Sequence, residues 1–352
     1  MVRRPGRKAP PSPLPQRDGV DAVRVRLPGV PGGGPGSASW DTVGAYLAAR
    51  YGPAVGAGRV EAMVAQGRFV TVHGAVTGDT PYEAGLWIWF HRDRPAERPV
   101  PFPVRVIHQD ERIVVADKPH FLATTPRGSH VAETALARLR HSLDLPQLTP
   151  AHRLDLLTAG LVLFVVDPRL RGAYQNLFRD RLVRKEYEAV APYDPGMPLP
   201  LTVRSRIVKE RGQLAAQEVP GPVNAVTRVE LLDRRGGLGR YLLLPETGRT
   251  HQLRVHMNAL GLPLLNDPVY PRVLPGALEV QDLPSEGELL EAPVEAGGPG
   301  PQGVGGPGGR FTAPLQLLAR VLEFTDPVSG GPMRFESTRT LEAWSDDAAA
   351  RG

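Results

Sequence analysis

The run His152-Arg153-Leu154-Asp155-Leu156-Leu157-Thr158-Ala159-Gly160 leads directly into Leu161-Val162-Leu163-Phe164-Val165-Val166. An unbroken apolar run without polar alternation reads as a strand buried on both faces. A loop dense in charge at the mouth of such a strand is unusual. Burying Asp, His and Arg there is costly unless they pair with one another or with a ligand. An Arg-x-Asp pair by itself is most often a structural ion pair, so its chemistry rests on what accompanies it.

Two further clusters accompany it. Downstream stands Glu246-Thr247-Gly248-Arg249-Thr250-His251-Gln252-Leu253-Arg254-Val255-His256. Gly248 suits the turn after a strand, and Thr250 is a reasonable N-cap for a helix over 250–260. Helical spacing puts His251, Arg254 and Asn258 on one face and Leu253, Met257 and Leu260 on the opposite one. The N-terminus of such a helix, with Arg249 beside it, is a natural seat for a phosphate. His251 and His256 fall on different faces, and no acidic residue stands at ligand spacing, so no metal site is expected. Between the two motifs lies Arg184-Lys185-Glu186-Tyr187-Glu188-Ala189. In a strand, Lys185, Tyr187 and Ala189 point one way and the two Glu the other. Taken alone, Tyr187 reads as ordinary core packing.

Strand patterns also occur at 112–116, 226–232, 241–244 and 321–324, and helical patterns near 130–141 and 168–181. Strands outnumber helices without alternating regularly with them, which argues for an α+β fold. Residues 93–103 carry four prolines and read as a linker. The main domain is then 104–345, with a Gly/Pro/Glu-rich disordered insertion at 284–309 and a tail at 346–352. Residues 1–36 mix Pro, Gly and Arg and read as a disordered basic arm, whose Arg3, Arg4, Arg7 and Lys8 read as a solvated tail rather than as phosphate holders. Between arm and linker, 37–92 form a small lobe. One amphipathic helix follows from Trp40, Val43 and Leu47 behind a Ser39 cap, and a second from Val60, Met63 and Val64, closed by Gly67. A hairpin follows, with a strand at 69–72, a tight turn at His73-Gly74 and a return strand from Ala75.

The 352 residues carry a formal charge of +5, which suits a polyanionic partner without proving one. The absence of Cys excludes a disulfide framework, a thiolate metal site and a Cys nucleophile. No apolar run is long enough to span a bilayer, and the basic N-terminus has no apolar core behind it, so a cytoplasmic protein is expected.

The three clusters, in this order and spacing, resemble RluA-like RNA pseudouridine synthases. Val114-Val115-Ala116-Asp117-Lys118-Pro119 is similar to the family's opening strand and turn, and Asn266-Asp267-Pro268-Val269-Tyr270 to a later segment. The lobe at 37–92 resembles the S4 RNA-binding domain, with Arg50, Arg59 and Arg68 as its charge. The resemblance covers about 104–345 without the insertion. It implies a synthase domain with a mixed, largely antiparallel sheet. It also implies Asp155 as the catalytic carboxylate and Tyr187 as the residue stacking on a flipped uracil. Arg254 would be the cation pairing with that carboxylate, and Arg153 would enter the vacated space in the RNA stack. His152, Arg249, His251 and Lys185 are expected at the RNA. Thr158-Ala159-Gly160, Asn266 and Leu318-Ala319-Arg320 depart from the family's usual pattern, which touches substrate choice rather than the catalytic groups.

The residue types fit isomerisation of uridine. The N1–C1′ bond breaks, the uracil turns and rejoins through C5, with no redox change. One ionised carboxylate suffices, acting on C1′ as a nucleophile or as the base of an elimination. A neighbouring Arg254 would favour the charged form of that carboxylate. The expected partner is rRNA or tRNA, with no membrane, cofactor or metal, and the chain is expected to be a monomer. A non-catalytic RNA-binding protein of the same fold is the alternative. A hydrolase built on His152 and Asp155 lacks a Ser nucleophile motif or a second acidic partner.

Overall fold

The computed structural model describes residues 9–29, 40–93, 97–126, 130–274, 277 and 314–345. The described residues up to Glu97 form one compact unit and those from Arg98 onward another.

The first unit contains β1 (Val23–Arg26), α1 (Val43–Val55), α2 (Ala57–Ala65), β2 (Val70–Thr71), β3 (Gly74–Ala75) and β4 (Trp87–Phe90). Its sheet runs β1-β4-β2-β3. The two helices bury Val43, Leu47, Val60 and Val64 in a core shared with Phe69, Ile88 and Phe90. Thr42 caps α1, its side chain accepting from the Ala45 amide at 3.2 Å. The expected Ser39 cap lies outside the described residues.

The basic arm expected at 1–36 is not wholly an arm. Val23 to Arg26 pair in antiparallel register with Phe90 to Trp87, and Leu27 is buried behind them. Val23 and Val25 pack on the unit's core while Arg24 and Arg26 face outward, a period-two pattern that neighbouring prolines and glycines obscure. The rest of the expected arm, 1–8 and 30–36, lies outside the described residues.

The second unit opens with β5 (Arg105–Gln109), β6 (Ile113–Lys118), α3 (Ala135–Ser142), β7 (Thr149–Pro150), β8 (Ala159–Val165), α4 (Arg171–Arg179) and β9 (Arg184–Pro192). It continues with β10 (Leu201–Ser205), β11 (Ile207–Val208), β12 (Gln217–Glu218), β13 (Ala225–Arg235), β14 (Leu238–Pro245), α5 (Gln252–Ala259), β15 (Leu317–Thr325) and β16 (Pro332–Glu336). The main path of the large sheet is β10-β13-β14-β9-β15-β8-β6-β5, with β7 on β8 and β16 on β15, while β11 and β12 pair separately. Every pairing in the large sheet is antiparallel except β15 with β8. The fold is therefore α+β on a mixed, largely antiparallel sheet.

β8 is buried along its whole length, as its unbroken apolar run requires, with α4 packed over one face and α3 and α5 on the core of the other. Gly160, its second residue, has φ +113°, and a Cβ there would come within 2.6 Å of the Ala319 nitrogen. Only glycine lets β8 approach β15 this closely.

Part of the expected linker is docked rather than free. Val100 is buried, its amide donates to Glu133 at 2.8 Å, and Arg138 donates to the carbonyls of Val100 and Phe102 at 2.6 and 2.7 Å. Prolines favour an extended chain, and an extended chain leaves its carbonyls open to such a clamp. The expected insertion at 284–309 and tail at 346–352 lie outside the described residues.

Candidate active site

The site forms where the loop before β8 meets the N-terminal end of α5. The loop is held in place by its backbone. Thr124 Oγ1 donates to the Leu154 carbonyl at 2.8 Å and accepts from the Leu154 amide at 3.1 Å. Lys118 Nζ, fully buried at the end of β6, donates to the carbonyls of Pro119, Leu122 and Leu156 at 2.9, 2.8 and 3.3 Å. One ammonium thus ties the residue after Asp155 to the turn after β6. Burial pushes its pKa down to about 7, against the pull of the Asp155 charge.

With both flanks tied, Asp155 projects into an open cleft of about 730 Å³, open solvent included, its side chain 27% exposed. Arg153, Lys209, His251 and Arg254 line the same cleft, with Thr124 and Leu157 as part of its floor. Asp155 is felt electrostatically by Lys118, Tyr187, His251, Arg254 and Tyr270. The carboxylate is the centre of the charge pattern.

The α5 end differs from its reading in sequence. The helix starts at Gln252, not at a Thr250 cap, and His251 takes the left-handed conformation at φ 57°. Gln252 organises the turn instead: its carboxamide oxygen accepts from Thr247 Oγ1 at 2.7 Å and from the Arg249 amide at 3.0 Å. Its nitrogen donates to the Val226 carbonyl and to Thr227 Oγ1 at 3.0 and 2.9 Å. The turn is pinned to β13, and His251 is aimed at the loop before β8.

Arg254 is 1% exposed, and its guanidinium forks onto Asp267 at 2.8 and 2.7 Å. The direct pairing with Asp155 expected from the sequence is not the one formed. Asp267 sits just beyond α5 and takes both oxygens' worth of contact, while Nη1 of Arg254 is buried with no hydrogen-bond partner among the described residues. Burial opposes the charge on Arg254, but Asp267 more than offsets it and the pKa is raised. The Tyr270 ring lies under the guanidinium, 5.2 Å from ring centre to Cζ.

Tyr187 lies on β9, half-buried against the core, its hydroxyl pKa raised first by burial and then by Asp155. It is near the carboxylate but packed into the wall. Lys185, two residues earlier, donates to the Thr247 carbonyl at 3.3 Å, and burial brings its pKa to about 8. Arg153 and Arg249 are exposed, the latter bound to the Asn224 carbonyl at 3.1 Å.

His152 does not fit its expected role at the RNA. Its Nε2 accepts the Leu163 amide at 3.1 Å and its ring stacks on Phe178 with centres 4.2 Å apart. Burial lowers its pKa to about 3, so it is a neutral structural acceptor. Sequence reasoning also missed Lys118, Thr124, Asp267 and Tyr270 as parts of the site, although Asp117-Lys118 and Asp267-Tyr270 stood in quoted motifs. Among the described residues no group of three or more His, Asp or Glu gathers as metal ligands, and no helix is long and apolar enough to cross a membrane.

Residues 112–259 match the family model described as RNA pseudouridylate synthase. The chain is 34% identical over 178 residues to the "Dual-specificity RNA pseudouridine synthase RluA" of Pasteurella multocida, covering 47% of this chain and 76% of that protein. It is 33% identical over 190 residues to the "Ribosomal large subunit pseudouridine synthase D" of Escherichia coli, covering 51% and 57%. It is 32% identical over 172 residues to the "tRNA pseudouridine(32) synthase, mitochondrial" of Saccharomyces cerevisiae, covering 48% and 37%. The matches span from 31% to 76% of the length of these and similar relatives.

Proposed function

Because the chain belongs to the RluA-like family of RNA pseudouridine synthases, isomerases that act on RNA, we propose that it converts specific uridines of rRNA or tRNA to pseudouridine, with Asp155 as the catalytic carboxylate. The observation that carries this reading is the position of Asp155. It stands partly exposed in a cleft, its backbone tied on both sides, with His251 and the buried cation Arg254 lining the same cleft. Among the described residues no lysine or arginine forms an ion pair with this carboxylate, and the cleft opens in front of it.

In this reading the target uridine leaves the RNA stack, at a cost of about a few kcal/mol that a loop lessens, and enters the cleft. Asp155 acts on the ribose as nucleophile or as base. Arg254 supplies a fixed positive charge at the same cleft, and Asp267 holds that charge in position. Tyr187 supports the freed uracil by its ring. Arg153, which lines the cleft, the exposed Arg249 and Lys185 hold phosphates or fill the vacated stack. The lobe at 37–92 is read as an S4-like RNA-binding unit. No metal or nucleotide cofactor enters the scheme.

The test is pseudouridine mapping of total RNA from cells lacking the gene, complemented with wild type or Asp155→Asn. The reading expects one or a few sites lost on deletion, restored by wild type and not by the variant. Restoration by Asp155→Asn would overturn the catalytic assignment.

A further inference from the structure

His251 is more constrained than a general RNA contact needs to be. It is 8% exposed, and its Nδ1 lies 3.1 Å from the Tyr270 hydroxyl. That hydroxyl is fully committed. It donates its single proton to the Ala216 carbonyl at 3.0 Å and accepts the Ala216 amide at 2.7 Å. A phenol has one proton and two acceptor lone pairs, so with that proton assigned to the Ala216 carbonyl the remaining bond to His251 runs from Nδ1–H to the oxygen. The neutral ring is thereby fixed as the Nδ1–H tautomer, and its Nε2 is left as an acceptor.

Nε2 faces Asp155, 4.0 Å from Oδ2. Two acceptors cannot hydrogen-bond each other, and this separation is longer than a hydrogen bond. Burial also lowers the His251 pKa to about 4, against the attraction of Asp155, so the ring is not a cation that could pair with the carboxylate. Two lone pairs side by side at the wall of a cleft are arranged for a donor that the substrate must bring.

The identity of that donor follows from what Asp155 does, and this step rests on the proposed function. A carboxylate reaching C1′ as nucleophile, or a ribose proton as base, lies beside the 2′-hydroxyl. That hydroxyl would otherwise donate to the carboxylate and weaken it. We propose that His251 Nε2 accepts the hydrogen bond of the target nucleotide's 2′-hydroxyl, leaving the Asp155 oxygen free for the ribose and making the site selective for ribose over deoxyribose. The 2′-hydroxyl is also the group by which a protein tells RNA from DNA at a single position. Tyr270 is a positioning residue in this arrangement: it touches no substrate and acts by fixing the tautomer of His251.

Two measurements on the full chain test this. Long-range 1H–15N correlation of the imidazole nitrogens reads the tautomer without any substrate. Wild type is expected to carry its proton on Nδ1, and Tyr270→Phe to lose that preference. A proton on Nε2 in the wild type overturns the proposal. The second measurement compares RNA stem-loops carrying uridine or 2′-deoxyuridine at the mapped target, read as affinity and as conversion. Wild type is expected to prefer the ribose form by about tenfold, the worth of one good hydrogen bond, and His251→Ala to bring that preference close to one. Tyr270→Phe, which keeps the imidazole and most of the packing, is expected to reduce it partway. An undiminished preference in a folded His251→Ala protein overturns the proposal while leaving catalysis by Asp155 intact. Retained activity in Asp155→Asn would instead remove the catalytic reading, leaving the tautomer result to stand by itself.

Discussion

Arg254 reaches Asp267 with two parallel hydrogen bonds of 2.8 and 2.7 Å, and both side chains are essentially removed from solvent. A forked pair of this kind gives direction as well as charge. It leaves Nη1 of Arg254 over, buried and unmatched among the described residues. Asp267 also accepts the amides of Val269 and Tyr270 at 2.9 and 3.2 Å. The carboxylate therefore orders the turn that presents Tyr270 as well as the arginine. Asp267→Asn is expected to destabilise the fold by about 3–5 kcal/mol, because it strands a buried guanidinium. Chemical denaturation would measure this. A cost below about 1 kcal/mol would mean that another group holds Arg254.

Gly160→Ala tests how the loop bearing Asp155 is anchored. The added Cβ would meet the Ala319 backbone, 2.6 Å from its nitrogen, in a backbone conformation that favours glycine. Strain of this type costs about 1–3 kcal/mol, and the clash adds to it. The variant is expected to lose about 3 kcal/mol or more in denaturant melts, or to fail to fold. A neutral outcome would mean that β8 and β15 can separate at this point without loss.

Much of this architecture is legible in sequence where local pattern carries it. The uninterrupted apolar run fixes β8, and the order of motifs places the loop, β9 and α5 around one region. What escapes is held by distant partners. β6 runs on to Lys118, past the expected end at 116, because Asp117 meets Ser337, Thr338 and Arg339 while Lys118 finds three carbonyls. In sequence, Asp-Lys-Pro reads as a turn. Edge strands such as β5 and β16 lack a sustained apolar pattern because much of each faces water. His152 looked chemical because its neighbours are. No periodicity reveals that its acceptor nitrogen is spent on the Leu163 amide.

Four wholly or partly buried histidines predict the acid limb of stability. His120, His251 and His256 are each lowered to about 4 and His152 to about 3, burial being the largest cause in every case. The unfolded chain protonates its histidines near pH 6.5, while the folded one resists until pH 4 or below. Between these values the unfolded state binds more protons, so stability must rise with pH. The contribution is complete above about pH 6.5 and is lost progressively as pH falls toward 4 and then 3. Melting temperatures measured from pH 7 to 4 are expected to fall steadily. His152→Gln, which keeps an acceptor but cannot protonate, is expected to lessen the slope. A flat profile in the wild type would contradict the burial of these rings.

The exposed arginines and the half-buried His152 should separate cleanly in RNA binding. Arg153, which lines the cleft, and Arg249 are both exposed, whereas His152 is turned inward onto Phe178 and the Leu163 amide. A side chain that neutralises one phosphate contributes about 0.7–0.9 to the slope of log affinity against log salt concentration. Arg249→Ala and Arg153→Ala are each expected to weaken RNA binding and to lower that slope by about this amount if they contact phosphate. Arg153→Ala has a second possible signature. If the side chain fills the stack left by a flipped base, affinity falls while the salt slope changes little, since stacking releases no counterion. His152→Gln should leave both quantities as in the wild type and lower only stability. Fluorescence titrations of one RNA at several salt concentrations would measure all three variants. An affinity loss in His152→Gln matching that of the arginine variants would return His152 to the RNA surface.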